Sequence, residues 1–329
     1  MDVSFIIVNY NTADVIKDCL RSVIEKTRGV SYEIIVVDNA SSDSSVEMIR
    51  SEFPEVRLIE NSSNGGFGVA NNIGIREAEG DFILFLNPDT VLLNDVASIF
   101  HEFFTSENRK NNIGAAGSLL VDQNRKYIHS FYPFPSIFYE LLIRYGTLFF
   151  KMFRIKWSVK NKSNLKTYSS FFRSFFRLDE EFTVEDSLMP DRVDKIYPMD
   201  VHYVTGAVMF VPRYVLDDIG VFDEDFFLYY EETDMQYRMR EADLRRVVLH
   251  EPAVVHLESH TSNGNHEKRQ IIQKSRLLFY RKNYSLFRYL VYKVFYSFSI
   301  IIEAGVDLYA KEYTVKENRE FLKGFVLES

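Results

Sequence analysis

Three times in the first 90 residues a short apolar run stops at an Asn or Asp, and amphipathic segments separate the runs. Val3-Ser4-Phe5-Ile6-Ile7-Val8 ends in Asn9-Tyr10-Asn11-Thr12. Glu33-Ile34-Ile35-Val36-Val37 ends in Asp38-Asn39-Ala40-Ser41-Ser42-Asp43. Asp81-Phe82-Ile83-Leu84-Phe85-Leu86 ends in Asn87-Pro88-Asp89-Thr90, where Pro88 lacks the N–H that would extend the ladder. Between the first two runs, Val15, Ile16, Cys19, Leu20, Val23 and Ile24 recur at steps of three and four, the spacing of a helix lying on a sheet. Val56 to Ile59 reads as a further strand and Val69 to Ala78 as a further helix. This alternation predicts a mostly parallel sheet flanked by helices. Ligands in such sheets bind just beyond the carboxyl ends of the strands. The three Asn/Asp endings are therefore expected to converge on one edge, with Asp89 at a metal or phosphate site.

The residues at the strand ends suit a nucleotide. Asp38 and Asn39 offer acceptors and donors at the height of a base or ribose. Asn64-Gly65-Gly66-Phe67-Gly68 places three of the chain's 14 glycines just before a helix. Backbone can come close to a ligand there, with helix N-terminal N–H groups aimed at anionic oxygens. The spacing is not that of the dinucleotide fingerprint, and no Gly-Lys-Ser/Thr phosphate loop occurs.

The motifs Val8-Asn9-Tyr10-Asn11, Val37-Asp38-Asn39-Ala40-Ser41-Ser42-Asp43, Asn64 to Asn72 and Leu86-Asn87-Pro88-Asp89 stand in a specific order. They continue with Gly206-Ala207, Gly220-Val221-Phe222-Asp223-Glu224, Phe226 to Asp234 and His256. In that order the chain resembles the family 2 glycosyltransferases, most closely the branch commonly called rhamnosyltransferase-like. The resemblance implies a GT-A fold, Rossmann-like with a mostly parallel sheet, and an inverting transfer from a nucleotide sugar. It implies that Asn9, Asn11, Asp38, Asn39, Asn64, Gly66, Phe67, Asn71, Asn87, Asp89, Gly206 and Ala207 form the nucleotide-sugar site. It also implies that Asp89 and His256 hold a divalent metal, an oxygen- and nitrogen-containing set suited to Mn²⁺ or Mg²⁺. Asn87 stands where many relatives outside this branch carry a first Asp, which should weaken metal binding without nucleotide.

The chemistry is expected in Glu231-Glu232-Thr233-Asp234, which precedes a helical stripe of Met235, Met239 and Ala242. On a wheel, Glu232 lies about 40° from the stripe centre, Glu231 about 60° and Asp234 about 120°. Glu232 should head the inward face and Asp234 should point away from it. Catalytic candidates are Glu232, Glu231 and Asp234. In the family pattern the second acid of the pair is the usual general base, here Glu232 where Asp is more common.

Composition divides the chain. From Ile137 to Arg177 there are nine Lys or Arg against one acid, Glu140, a net +8 over 41 residues. The rest carries 30 basic and 46 acidic residues, or −16. Twelve aromatics are interleaved with those cations. That mixture suits an anionic membrane surface, or else a helical insert packed on the domain. Nucleic acid is disfavoured by the acidic remainder. The expected domains are 1–130 for the nucleotide sugar, a basic aromatic insert over 131–198, an acceptor and catalytic half over 199–266, and C-terminal helices over 267–329. Lys268 to Lys282 and Leu286 to Ile302 read as helices. The uncharged run Val294 to Ile302 is far short of the about 20 residues that span a bilayer.

The lone Cys19 cannot form an internal disulfide and suits packing in a reducing compartment. The chain opens in a strand with no signal-peptide pattern, so a cytoplasmic enzyme, peripheral at the inner face of the plasma membrane, is expected. By resemblance the donor is dTDP-rhamnose and the acceptor a polyprenyl-linked saccharide of surface polysaccharide or O-antigen assembly. A sugar nucleotidyltransferase and a non-catalytic nucleotide-sugar-binding module of the same fold are the alternatives.

Overall fold

The computed structural model describes residues 1–152, 198–257 and 266–310. They fall into two compact units. The first holds described residues 1–134, 198–257 and 266–279, and the second holds 135–152 and 280–310.

The first unit begins as a strand–helix series. It runs β1 (Val3–Asn9), α1 (Ala13–Lys26), β2 (Tyr32–Asp38), α2 (Ser45–Glu52), β3 (Arg57–Glu60), α3 (Phe67–Glu77) and β4 (Phe82–Leu86). These four strands pair in parallel in the order β3-β2-β1-β4. The register sets Asn9 beside Asp38 and Ile7 beside Leu86. The three expected strand ends therefore do lie along one edge. Next come β5 (Thr90–Leu92), α4 (Val96–Asn111), β6 (Ile113–Val121), β7 (Tyr127–Ile128) and β8 (Phe131–Tyr132).

After residue 197 the chain returns as β9 (Met199–Asp200), β10 (Tyr203–Val204) and β11 (Val208–Pro212). It continues through α6 (Arg213–Ile219), α7 (Glu231–Glu241) and β12 (Arg245–His256). The sheet extends as β4-β11-β6-β12-β5. β11 is antiparallel to both neighbours, and β12 runs parallel to β6. β11 thus joins the parallel β3-β2-β1-β4 part of a mixed sheet to the parallel β6-β12 pair, and β5 lies antiparallel on β12.

Both faces of the sheet are covered, which explains the near-continuous apolar runs. Phe5, Ile7, Leu84 and Phe210 lie in one buried cluster with Ile16, Leu20 and Phe100 of α1 and α4. The alternate residues Ile6, Phe85 and Met209 lie in the other, with Met235 and Met239 of α7. The period of two assigns each residue to its layer. Arg246–Leu249 and Ala253–Val255, two runs in the sequence, form the one strand β12. Its pairing with β6 is irregular between Leu249 and Val254, a stretch that includes Pro252.

Three helices complete the set: α5 (Ile137–Met152), α8 (His266–Asn283) and α9 (Leu286–Ala310). In the second unit α5 packs on α9. Arg144 ties them, donating to Ser299 Oγ and, at 2.7 Å, to Glu303 Oε2, with its guanidinium 4.5 Å above the Tyr296 ring. The Tyr292 hydroxyl donates to Glu140 Oε2 at 3.1 Å. Residues 153–177 of the basic aromatic segment lie outside the described residues.

Candidate active site

Asp89 sits on a turn fixed from three sides. The Thr90 hydroxyl donates to the Asn87 carbonyl at 2.7 Å. Asn87 N–H donates to Ala207 O at 3.0 Å, and Leu257 N–H donates to Asp89 O at 2.9 Å. Beneath the turn lies Cys19, its sulfur 3.7 Å from Thr90 Oγ1, its thiol pushed up to about 12 by burial. Cys19 is therefore a packing residue, as expected. His256 pairs across the sheet with Thr90, and its Nε2 lies 3.3 Å from Asp89 Oδ1. Both side chains are mostly buried, at 17% and 13% exposure.

That separation fits two donors of one small cation, because neighbouring ligands of an octahedral ion with about 2.1 Å bonds are about 3 Å apart. The pair supplies one oxygen and one nitrogen, a set compatible with Mn²⁺ or Mg²⁺. Among the described residues no cluster of three or more His, Cys, Asp or Glu forms a metal site. The remaining ligands of such an ion would be oxygens of a nucleotide diphosphate or water.

From Asp89 the site is contiguous. Gly206, next to Ala207, lies between the Phe67 ring and Glu232. A Cβ built on it would be 3.6 Å from Phe67 Cε1 and 3.7 Å from Glu232 Cβ. Phe67 N–H donates to Phe227 O at 2.9 Å, and Gly66 O accepts from Asn39 Nδ2 at 3.0 Å. Gly66 has φ +91°, and a Cβ there would come 2.1 Å from Phe227 O, so only glycine fits. Asn64 Oδ1 accepts from Gly66 N–H at 2.9 Å, and Asn71 Nδ2 donates to Phe67 O at 3.0 Å. Both side chains shape this loop.

The strand-end polar groups are tied mainly to one another. Asn9 is fully buried, and its Nδ2 donates to Asp38 Oδ1 at 2.6 Å and to Ser45 Oγ at 2.7 Å. Asp38 Oδ2 accepts from Ser41 N–H at 2.9 Å, and Asn39 Oδ1 accepts from Asn61 Nδ2 at 2.8 Å. Asn11 adopts φ +53° and accepts Ser42 N–H at 2.7 Å. These residues therefore brace the carboxyl ends of β1 and β2 and the loops that follow them against one another.

α7 departs from the helical-wheel expectation. Asp234, expected to point away, is buried and ion-paired with Arg238 at 3.0 Å, while Glu232 is only half-buried. Glu231 is buried below the glycine loop, its Cβ 3.7 Å from where a Gly68 Cβ would be. The wheel assumes one buried face. Here α3, α6, β10 and β12 pack around the helix, so its first turn is enclosed on several sides. The helix is entered through Tyr229 and Tyr230, with φ +67° and +73°, a left-handed pair rare for bulky residues. Tyr230 is held by Arg276 Nε at 2.9 Å and by the Phe279 ring, both on α8.

Burial separates the two adjacent acids. It holds Glu231 well above the usual carboxylate range, and the Glu232 charge pushes it further. Glu231 Oε2 has no hydrogen-bond partner. Glu232 is raised too, by burial, with helix N-terminal N–H groups and Thr233 opposing the shift. Glu231 is thus the more enclosed of the two, and Glu232 the half-buried one beside Gly206.

Three residues of the site were not anticipated. Arg238 neutralises Asp234 and donates to the carbonyls of Ile219, Gly220 and Val221. Gln236 bonds both backbone groups of Val204, at 2.9 and 2.8 Å, fixing β10. Tyr203, on β10, feels the Glu232 charge and bonds Thr233. For Gln236 alone a signal existed, its position one turn after Glu232.

Comparison with known proteins bears on the family and the fold. The family model for Glycosyl transferase family 2 matches residues 4–177. The poly(ribitol-phosphate) beta-glucosyltransferase of Bacillus spizizenii is 34% identical over 116 residues, 34% of this chain and 18% of that one. The uncharacterized glycosyltransferase YfnE of Bacillus subtilis is 26% identical over 80% of this chain and 66% of its own. The low-salt glycan biosynthesis hexosyltransferase Agl10 of Haloferax volcanii is 26% identical over 74% of this chain and 63% of its own. The chain thus spans from under a fifth to about two-thirds of these relatives' lengths. In fold it is similar to the mannosyltransferase PcManGT from Pyrobaculum calidifontis, solved with GDP-Man and Mn²⁺. That match has a TM-score of 0.53 and 15% identity, covering 99% of this chain and 79% of that one. GalNAc-T7, solved with UDP, GalNAc and Mn²⁺, matches with a TM-score of 0.52 and 15% identity, over 85% of this chain and 50% of its own. With more than half of its length matched by the family model, this chain belongs to glycosyltransferase family 2.

Proposed function

We propose that the protein is an inverting glycosyltransferase that moves a sugar from a nucleotide-diphosphate donor to a saccharide hydroxyl. The observation that carries the reading is the Asp89–His256 pair, at 3.3 Å, on the strand edge beside Gly206-Ala207, with Glu232 in the first turn of α7 next to Gly206. Asp89 and His256 would hold Mn²⁺ or Mg²⁺. When bound, the ion offsets the charge that develops on the departing diphosphate. Asn9, Asp38 and Asn39 shape the nucleotide edge, Asn11 borders it, and Asn64 to Asn71 shape the glycine loop. Gly206 and Ala207 admit the donor sugar or the acceptor close to backbone.

Glu232 acts as general base. The acceptor oxygen bonds to the anomeric carbon as the bond from that carbon to the diphosphate oxygen breaks, and the hydroxyl proton passes to a Glu232 carboxylate oxygen. Burial raises the Glu232 carboxyl toward the working pH, which suits a base. Burial holds the enclosed Glu231 carboxyl well above the usual carboxylate range, which disfavours a second charge beside it.

The finer reading is rhamnose from dTDP-rhamnose, passed to a polyprenyl-linked saccharide in surface polysaccharide assembly at the inner face of the plasma membrane. It rests on the rhamnosyltransferase-like motifs and on the basic aromatic segment 137–177. The domain assignment 1–130, 131–198, 199–266 and 267–329 belongs to the same proposal.

The test is release of nucleoside diphosphate from a panel of nucleotide sugars with Mn²⁺. Asp89→Ala and His256→Ala should each lower metal-dependent donor affinity at least about tenfold, measured by calorimetry. Unchanged affinity in both variants would remove the metal assignment. Release of pyrophosphate rather than nucleoside diphosphate would favour a nucleotidyltransferase.

A further inference from the structure

α9 is amphipathic the wrong way round for a helix facing water. At 100° per residue, Phe287, Leu290, Val294, Phe298 and Ile301 fall within a sector of about 80°. Every one of them is exposed, between 48% and 76%. Leu286 and Phe295, on the two flanks of that sector, are exposed as well. The opposite face is buried and carries the hydroxyls. Tyr292, Tyr296 and Ser299 point to α5, where Glu140 and Arg144 receive them, and Glu303 is paired with Arg144. The helix turns its polar groups inward and its hydrocarbon outward. A contiguous exposed apolar face of this kind marks a surface that meets something apolar.

The chemistry around the face selects the occupant. No acid occurs from Leu286 to Ile302, while Arg288 and Lys293 border the sector on its two sides. Arg281 and Lys282 are exposed just before the helix. Over Leu286–Ile302 a second copy would offer these cations only like charges; the acids of α9, Glu303 and Asp307, lie beyond that stretch, and Glu303 is paired with Arg144. Anionic lipid headgroups match them, and an aromatic–aliphatic face flanked by Lys and Arg is the pattern of a helix lying in a membrane interface. At 1.5 Å per residue its 25 residues extend about 37 Å. No helix among the described residues is long and apolar enough to cross a bilayer.

We propose that the outer face of α9 lies in the headgroup–acyl boundary of an anionic bilayer and docks the protein there. The inference deepens the membrane part of the reading above and rests on it for the lipid-linked acceptor, not for the transfer chemistry. It also moves the principal contact from the basic segment 137–177 to an apolar surface.

The test is flotation of the whole protein with phosphatidylethanolamine–phosphatidylglycerol vesicles, alongside donor hydrolysis, light-scattering mass and thermal unfolding. The wild type should float, and salt should weaken binding without abolishing it, because the apolar contact is unscreened. The triple variant Phe287→Ser, Val294→Ser, Phe298→Ser should bind at least about tenfold less. Its melting temperature and donor hydrolysis should stay unchanged, since all three side chains already face outward. If the triple variant destabilises the fold, Phe287→Arg with Phe298→Arg gives a second reading of the same face. The proposal fails if the wild type stays off the vesicles at low salt, or if the variants float as it does. A wild-type dimer that the variants convert to monomer would make the face a contact between copies instead. Hydrolysis without flotation overturns this inference alone, and flotation without hydrolysis overturns the transferase reading alone.

Discussion

Glu231 and Glu232 show how one step along a chain separates two environments. Both carboxylates are raised, yet Glu231 is sealed beneath the glycine loop and Glu232 borders Gly206. Glu232→Gln keeps the shape and removes the base, so transfer should fall about 10²–10⁴-fold with donor affinity retained. Normal turnover in Glu232→Gln with a dead Glu231→Gln would reverse the assignment. Stability separates the pair as well. The folded state holds the Glu231 proton more tightly than the unfolded chain does, whose carboxyl lies near 4.5. That stabilisation is complete below the unfolded value and is lost as pH rises through the folded one. Glu231→Gln cannot ionise, so its stability relative to wild type should improve as pH is raised above about 4.5. Denaturant titrations at stepped pH would check this, and a constant difference across pH would contradict it.

At the scale of elements, the loop before α3 and the turn before α7 are built against each other. Gly66 approaches Phe227 O so closely that a methyl group cannot be placed, and its φ of +91° is closed to other residues. Gly66→Ala should therefore destabilise by about 1–3 kcal/mol and weaken donor binding with it. Gly146 of α5 meets nothing within 4 Å, so Gly146→Ala should instead stabilise by about 0.5–1 kcal/mol. Thermal melts followed by circular dichroism would rank the two, and equal shifts would show that the Gly66 contact is relaxed in solution. The strand-end polar cluster has the same character. Asn9 serves Asp38, Ser41 and Ser45 at once, so its first duty is to hold β1, β2 and the start of α2 in register.

At the scale of the molecule, nucleoside diphosphate with Mn²⁺ should bind the folded state only and raise its melting temperature. At a hundredfold excess over Kd the gain is about 2.7 kcal/mol, and a thermal-shift series with and without metal reads it. No shift with any nucleotide would count against the donor site. The parallel strands, the helices between them, and the Asn and Asp at their ends were legible in the sequence, because the periods of 2 and 3.6 are local. So was the edge on which Asp89 lies, since Pro88 ends the strand wherever the sheet places it. His256 beside Asp89 was legible only through the family motifs, because β12 and β5 meet across more than 150 residues of sequence. The antiparallel β11 inside the sheet was not legible, since strand direction is set by a partner and not by the strand itself. The burial of Asp234 was likewise decided in three dimensions, by Arg238 arriving within bonding distance and by neighbours on several sides of α7. For α9, sequence determined that one stripe is hydrocarbon and the other carries hydroxyls and Glu303. Which stripe turns outward was decided by α5, whose Glu140 and Arg144 match the polar groups better than water-facing hydrocarbon could.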